Sequence, residues 1–364
     1  MSLPADFSRS LDRRAALRML IGAAGAGCVP MTAHGVSDLV GRHGPDAAFP
    51  RGSIIRSVLK DLPPESLSGS ILFHEHLSGT TRFSDDVELM VAEATAARKD
   101  GLACIVDGGH PDFKFTPGGY RLDSLKRIAA ESSLPVVASG GYYAQQSYPA
   151  DLAGRTAEDI AETLIMQAAA GHLGAFGEMG QQGGVLTDTE RKVFRAVAMA
   201  HLKTRLPIFT HNAYVGRRQT AQPIPRDAAL RQLDALEAAG APPNRIAIGH
   251  LCCLDDPGTS IAKSVAARGA FVGFDRVTLE SISLPDADRV VMAMELVHAG
   301  YAKNLLLSSD FFAESSLKRN GGAGLAQAAT VFGPKLLKAG LAESTLRMIL
   351  EDNPRRFLAF VPPA

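Results

Sequence analysis

The chain has 364 residues, 46% hydrophobic and 21% charged, with a formal net charge of zero. This is an ordinary globular composition with ample residues for a core, and the balanced charge gives no electrostatic reason to bind nucleic acid or an anionic membrane surface. The four cysteines, Cys28, Cys104, Cys252 and Cys253, have neither the spacing of a zinc finger nor that of a disulfide framework.

The N-terminus reads as a targeting segment over residues 1–35. Arg13-Arg14-Ala15-Ala16-Leu17-Arg18 precedes the short, small-residue-rich run Met19–Gly27. This resembles a twin-arginine export signal, which predicts a periplasmic location. The run is too short and too rich in glycine to span a bilayer. A single domain is expected over residues 48–364, with Ala48–Leu67 as its lead-in.

From Gly69 onward, short apolar runs alternate with amphipathic stretches. The runs are Ser70–Phe73, Ala103–Val106, Pro135–Ser139, Leu173–Phe176, Pro207–Thr210, Arg245–Ile248, Ala270–Phe274 and Asn304–Ser308. Helical patterns follow at Val87–Lys99, Leu122–Ala130, Ala157–Ala170, Thr189–Thr204, Ala228–Ala239, Ile261–Arg268, Asp286–Ala299 and Ser344–Phe360. Thr156 with Asp159, and Thr187 with Glu190, have the spacing of N-terminal caps. Near-continuous apolar strands alternating with helices imply a parallel sheet, and eight units point to a closed (β/α)₈ barrel. No nucleotide-binding glycine motif follows any strand.

The strand ends carry the chemistry. His74 and His76 close the first run, Glu178 follows the fourth, His211 the fifth, His250 the sixth and Asp310 the eighth. In a parallel barrel these ends share one mouth. Two carboxylates buried there without partners would cost on the order of several kcal/mol each. Imidazole and carboxylate donors around divalent cations remove that cost.

As a set, His74-Glu75-His76, His211, His250 and Ser309-Asp310 resemble the metal motifs of the phosphotriesterase-like branch of the amidohydrolase superfamily, together with Asp275-Arg276 and Asn353-Pro354-Arg355-Arg356. The resemblance implies a binuclear metal hydrolase on the same barrel. It assigns His74, His76 and Asp310 to one cation and His211 and His250 to the other, with Glu178 bridging. Glu178 stands where many members carry a carboxylated lysine. It also implies a shared hydroxide as nucleophile, with Asp310 the catalytic residue that takes the proton. Histidine-rich coordination favours zinc for the two ions, with manganese, cobalt or iron as the alternatives. Tyr143 and Arg276 are the substrate-side candidates. Tyr142, beside Tyr143 in Gly140-Gly141-Tyr142-Tyr143, has two readings, lining the mouth or packing.

The loop Phe311–Gly324 is expected to be a mobile lid, with Phe311 and Phe312 as an apolar wall that suits an uncharged ester, lactone or phosphotriester. His110 lies near the mouth without an assigned role, Lys114 and Lys318-Arg319 read as solvated, and His172, His201 and His298 as structural. The expected partner is a small ester or lactone, with no nucleic acid and no integral membrane segment; a homodimer is left open. The alternatives are an amide or phosphodiester hydrolase, or an exported barrel that binds metal or solute without catalysis.

Overall fold

A computed structural model describes residues 49–109, 122–181, 183–218, 220, 223–280 and 283–363. The twin-arginine segment, Cys28, His110 and Lys114 lie outside them. A hairpin of two short strands, β1 (Ile55–Arg56) and β2 (Asp61–Leu62), leads in. Eight parallel strands follow: β3 (Ser70–Glu75), β4 (Leu102–Asp107), β5 (Val136–Gly140), β6 (Ala175–Gln181), β7 (Ile208–Asn212), β8 (Ile246–Ile248), β9 (Phe271–Phe274) and β10 (Leu305–Leu307). They pair in chain order from β3 to β10. The result is the predicted (β/α)₈ barrel.

Alternation sorts the side chains. Ile71, Phe73, Cys104, Val106, Ala175, Phe209, Ala247 and Leu306 fill the barrel, while Leu72, Ile105, Phe176 and Ile208 pack outward against the helices. Ile55, Leu62 and Leu67 of the lead-in join the inner cluster. No ladder joins β10 to β3. That seam is closed by Glu75, which accepts from Ser309 N and Oγ at 2.7 Å each and from Phe311 N at 2.9 Å.

The helices are α1 (Val87–Lys99), α2 (Leu122–Ser132), α3 (Ala157–Ala170), α4 (Asp188–Thr204), α5 (Ala228–Ala238), α6 (Ser260–Ala267) and α7 (Asp286–His298). Both predicted capping boxes form: Asp159 N donates to Thr156 Oγ1 and Glu190 N to Thr187 Oγ1, each at 3.1 Å. The predicted final helix Ser344–Phe360 is a correction. It is split into α9 (Glu343–Arg347) and α10 (Asn353–Leu358) by a wide π turn at Met348–Asp352. A similar turn, Ala328–Phe332, precedes α8 (Gly333–Lys338). Each turn ends just before a proline, Pro354 or Pro334. A proline ring crowds the carbonyl four residues back and offers no N–H, and a widened turn accommodates both.

Candidate metal centre

Two register slips aim the first donors. Between β3 and β4 the pairing shifts between Leu72 and Glu75. One residue of parity is thereby absorbed, so His74 follows inward-facing Phe73 into the barrel. Its ring lies 6.1 Å from that of Phe73 and 5.2 Å from Phe209. His76, two residues on, has its ring 5.4 Å from that of His74. The second slip, between Phe176 and Met179 on the β6–β7 pair, carries Glu178 to the same interior. Gly177 is required beside it, because a Cβ there would meet the Phe209 ring at 2.3 Å. Glu178 therefore lies within β6 rather than after it.

His211 is the fourth residue of β7, and His250 and Asp310 follow β8 and β10. The last two have φ of 59° and 50°, the left-handed region that side chains rarely adopt. Such strain persists where the surroundings enforce it, and it gathers at functional sites. Here His250 N donates to Asp275 Oδ1 at 2.6 Å and Asp310 N to His74 O at 3.2 Å.

All six predicted donors are buried and meet. Glu178 Oε2 lies 3.1 Å from His74 Nε2, 3.1 Å from His211 Nδ1 and 3.5 Å from His250 Nε2. Glu178 Oε1 lies 4.0 Å from His76 Nε2. Asp310 Oδ1 is 2.8 Å from His76 Nε2 and 3.7 Å from His74 Nε2. His250 Nε2 and His211 Nδ1 are 2.8 Å apart. Two triads, His74–His76–Asp310 and His74–Glu178–His250, each gather one donor atom per residue within 4.8 Å.

The set suits divalent cations. His74 Nε2 is buried and makes no hydrogen bond of acceptable geometry, although two carboxylates face it. A lone pair aimed among carboxylate oxygens is what a cation would satisfy. The protons tell the same story. Burial disfavours charge on His74, but Glu178 and Asp275 outweigh it and hold that imidazole well above its usual range. His250, also opposed by burial and by Arg276, is raised to about 9 by Asp275 and Glu178. Burial drops His211 to about 4 against the pull of Glu178. Glu178 and Asp310 stay well below the usual carboxylate range despite burial, held by His74 and His211 and by Arg276 and His76 respectively. Protons on His74 and His250 offset the charge of the carboxylates around them, the role a divalent cation would take.

One role in the site was not expected from the sequence. Asp275, named above only within the Asp275-Arg276 motif, accepts from His74 Nδ1 at 2.9 Å and from His250 Nδ1 at 3.0 Å. It fixes both rings so that Nε2 of each faces the centre. Its position at the end of β9 was the available signal, since the metal-ligand candidates also stand at strand ends. Thr80 Oγ1 does the same for His76 Nδ1 at 3.0 Å.

Of the substrate-side candidates, Tyr143 reaches the centre: its hydroxyl lies 3.1 Å from His211 Nε2. Arg276 also reaches it, donating from Nε to Asp310 Oδ2 at 2.5 Å, with its guanidinium over the Phe312 ring. Tyr142 is buried and packs on Tyr148. Among the residues read as structural, His201 faces Leu206 O at 2.6 Å and His172 pairs with Asp61 at 3.2 Å. Phe311 is a correction: it is fully buried against Phe83, so only Phe312 borders the centre. The loop after β10 is likewise anchored, with Leu317 buried and Lys318 N donating to Glu93 at 2.7 Å.

A family model described as the phosphotriesterase family matches residues 64–358. The phosphotriesterase homology protein of Escherichia coli (strain K12) is 32% identical over 299 residues, covering 80% of this chain and 98% of that protein. Its crystal structure, complexed with phosphate in the active site, superposes with a TM-score of 0.71 over 80% of this chain and 99% of that one. An N-acetyltaurine hydrolase of Danio rerio is 25% identical over 81% of this chain and 86% of its own. A lactonase from Listeria monocytogenes shares the fold, with a TM-score of 0.70 at 23% identity, covering 84% of this chain and 98% of that one.

Proposed function

Because the chain belongs to the phosphotriesterase family and is a metal-dependent hydrolase, we propose that it cleaves a carboxylic ester, a lactone above all, or a phosphotriester, at a pair of divalent cations, zinc by preference. The observation that carries this reading is Glu178, whose one oxygen lies within 3.5 Å of three imidazoles drawn from β3, β7 and the end of β8. His74, His76 and Asp310 would hold one cation, His211 and His250 the other, and Glu178 both. When bound, the cations would supply Lewis acidity and lower the pKa of water to about 7.

The chain's own groups do the rest. Asp275 keeps the His74 and His250 rings turned to the centre. Asp310, kept ionised by Arg276 and His76, accepts a proton at a carboxylate oxygen and returns it to the leaving group. The Tyr143 hydroxyl, within reach of His211, orients the substrate oxygen. Arg276, stacked on Phe312, closes one side against water and offers a cation to the substrate. The twin arginines at Arg13-Arg14 support export to the periplasm, with the barrel as the one domain after them.

Amide hydrolysis is the second reading, favoured by the resemblance to N-acetyltaurine hydrolases. The test is a panel of lactones, aryl esters, phosphotriesters and N-acyl amino sulfonates offered to zinc-loaded protein and to Asp310→Asn. The reading expects turnover of an ester, lactone or phosphotriester, lowered about 10²–10⁴-fold in the variant. Turnover of the amide alone selects the second reading. Cleavage of nothing, with metal bound, leaves a binding barrel and overturns both.

A further inference from the structure

The opposite end of the barrel carries a second polar site that the hydrolase chemistry does not use. A cavity of about 330 Å³ opens where β8, β9 and β10 begin, lined by Arg245, Lys303, Arg356, Asn304 and Phe271. The hydrolase mouth lies at the other ends of the same strands, so the two are separated by the length of the barrel.

Three cations line this cavity and no acid does. Among the described residues, none of the three is within ion-pair distance of a carboxylate; Asp352, which Arg356 feels, is paired with Arg355. Arg245 is the sharpest anomaly. Its Nη1 donates to Arg356 O at 3.2 Å, while Nη2 is buried with no partner at all. A guanidinium seldom gives up water without a compensating anion. Arg356 is pinned beside it: Nη2 donates to Lys303 O and, at 2.8 Å, to Asn353 Oδ1, and the guanidinium lies over the Phe271 ring. Asn304 is held by donation to Ala270 O at 2.9 Å, and its Oδ1, also buried, has nothing to accept from. The residues that line the cavity thus include three cationic side chains and one amide oxygen without a donor. A hydrogen-bearing tetrahedral oxyanion presents the matching set, acceptor oxygens and an O–H donor.

We propose that this cavity binds a phosphate group, free or as the end of a phosphate monoester, and that the bound anion clamps the starts of β8, β9 and β10 to the C-terminal helix α10. The preorganised guanidinium pair supplies specificity, and exposed Lys303 supplies reach.

Titration calorimetry of the full-length, metal-loaded protein with inorganic phosphate, ethyl phosphate and sulfate tests it, using wild type, Lys303→Glu and Arg245→Met. Lys303 is exposed, so its replacement leaves folding intact even where Arg245→Met does not. The expected result is phosphate binding weakened about tenfold or more in Lys303→Glu, with hydrolytic turnover unchanged and a phosphate-dependent rise in melting temperature lost in step. Tighter binding of ethyl phosphate than of the free ion would assign the site to a monoester; equal binding would assign it to free phosphate. Wild-type protein that binds no phosphate at millimolar concentration, or binding that persists unchanged in Lys303→Glu, as it would for phosphate held only at the hydrolase mouth, overturns the proposal.

Discussion

Asp275 holds two of the centre's four imidazoles by their Nδ1 atoms, so its carboxylate sets the direction in which His74 and His250 present Nε2. Asp275→Asn keeps the shape but can accept from only one side of the amide, so one of the two rings loses its acceptor. Metal affinity should fall about 10–100-fold, as measured by competition with a chromogenic chelator; an unchanged affinity would mean that the rings are held by packing alone. Protons enter at the same scale. His250 is raised to about 9 and His74 well above the usual range, so at neutral pH both carry protons that a cation must displace. Metal binding should therefore release protons near pH 7 and strengthen as pH rises toward about 9. Calorimetry in buffers of differing ionisation heat measures this, and a binding heat independent of buffer would contradict it.

At the scale of elements, the strand–helix alternation was legible because each element announces itself locally. The span Val87–Lys99 was predicted and found without adjustment, capped by Asp86, whose side chain accepts from Leu89 N at 3.1 Å. Thr187 anchors α4 in the same way, with Thr187 N returning a bond to Glu190 at 2.9 Å. Thr187→Ala should cost about 1 kcal/mol, read from the shift of a denaturant midpoint; no shift would mean that packing of Val193, Phe194 and Val197 fixes the helix start alone. What local pattern could not reveal was parity. A slip in register depends on the neighbouring strand, and the slips at Leu72–Glu75 and Phe176–Met179 decide which side chains face inward. The break at Met348–Asp352 was hidden for the opposite reason, since its apolar period continues across the π turn.

Across the whole molecule, the site was readable because a parallel barrel delivers every strand end to one mouth. Donors spread from His74 to Asp310 needed only correct strand counting to be grouped. The roles of Asp275 and Glu75 were not readable, because a carboxylate that orients a ligand or closes a seam looks, in sequence, like one that binds metal or solvent. The basic cavity beneath the barrel went unseen for a related reason: Arg245, Lys303 and Arg356 are 111 residues apart at the extremes and share no motif. The account rests on two cations gripped by the six donors at the mouth, with Glu178 common to both. Metal analysis of purified protein beside Glu178→Ala tests that most directly. Two equivalents of divalent metal per chain in the wild type, and one or fewer in the variant, are the predicted result. An unchanged metal content in Glu178→Ala would contradict it.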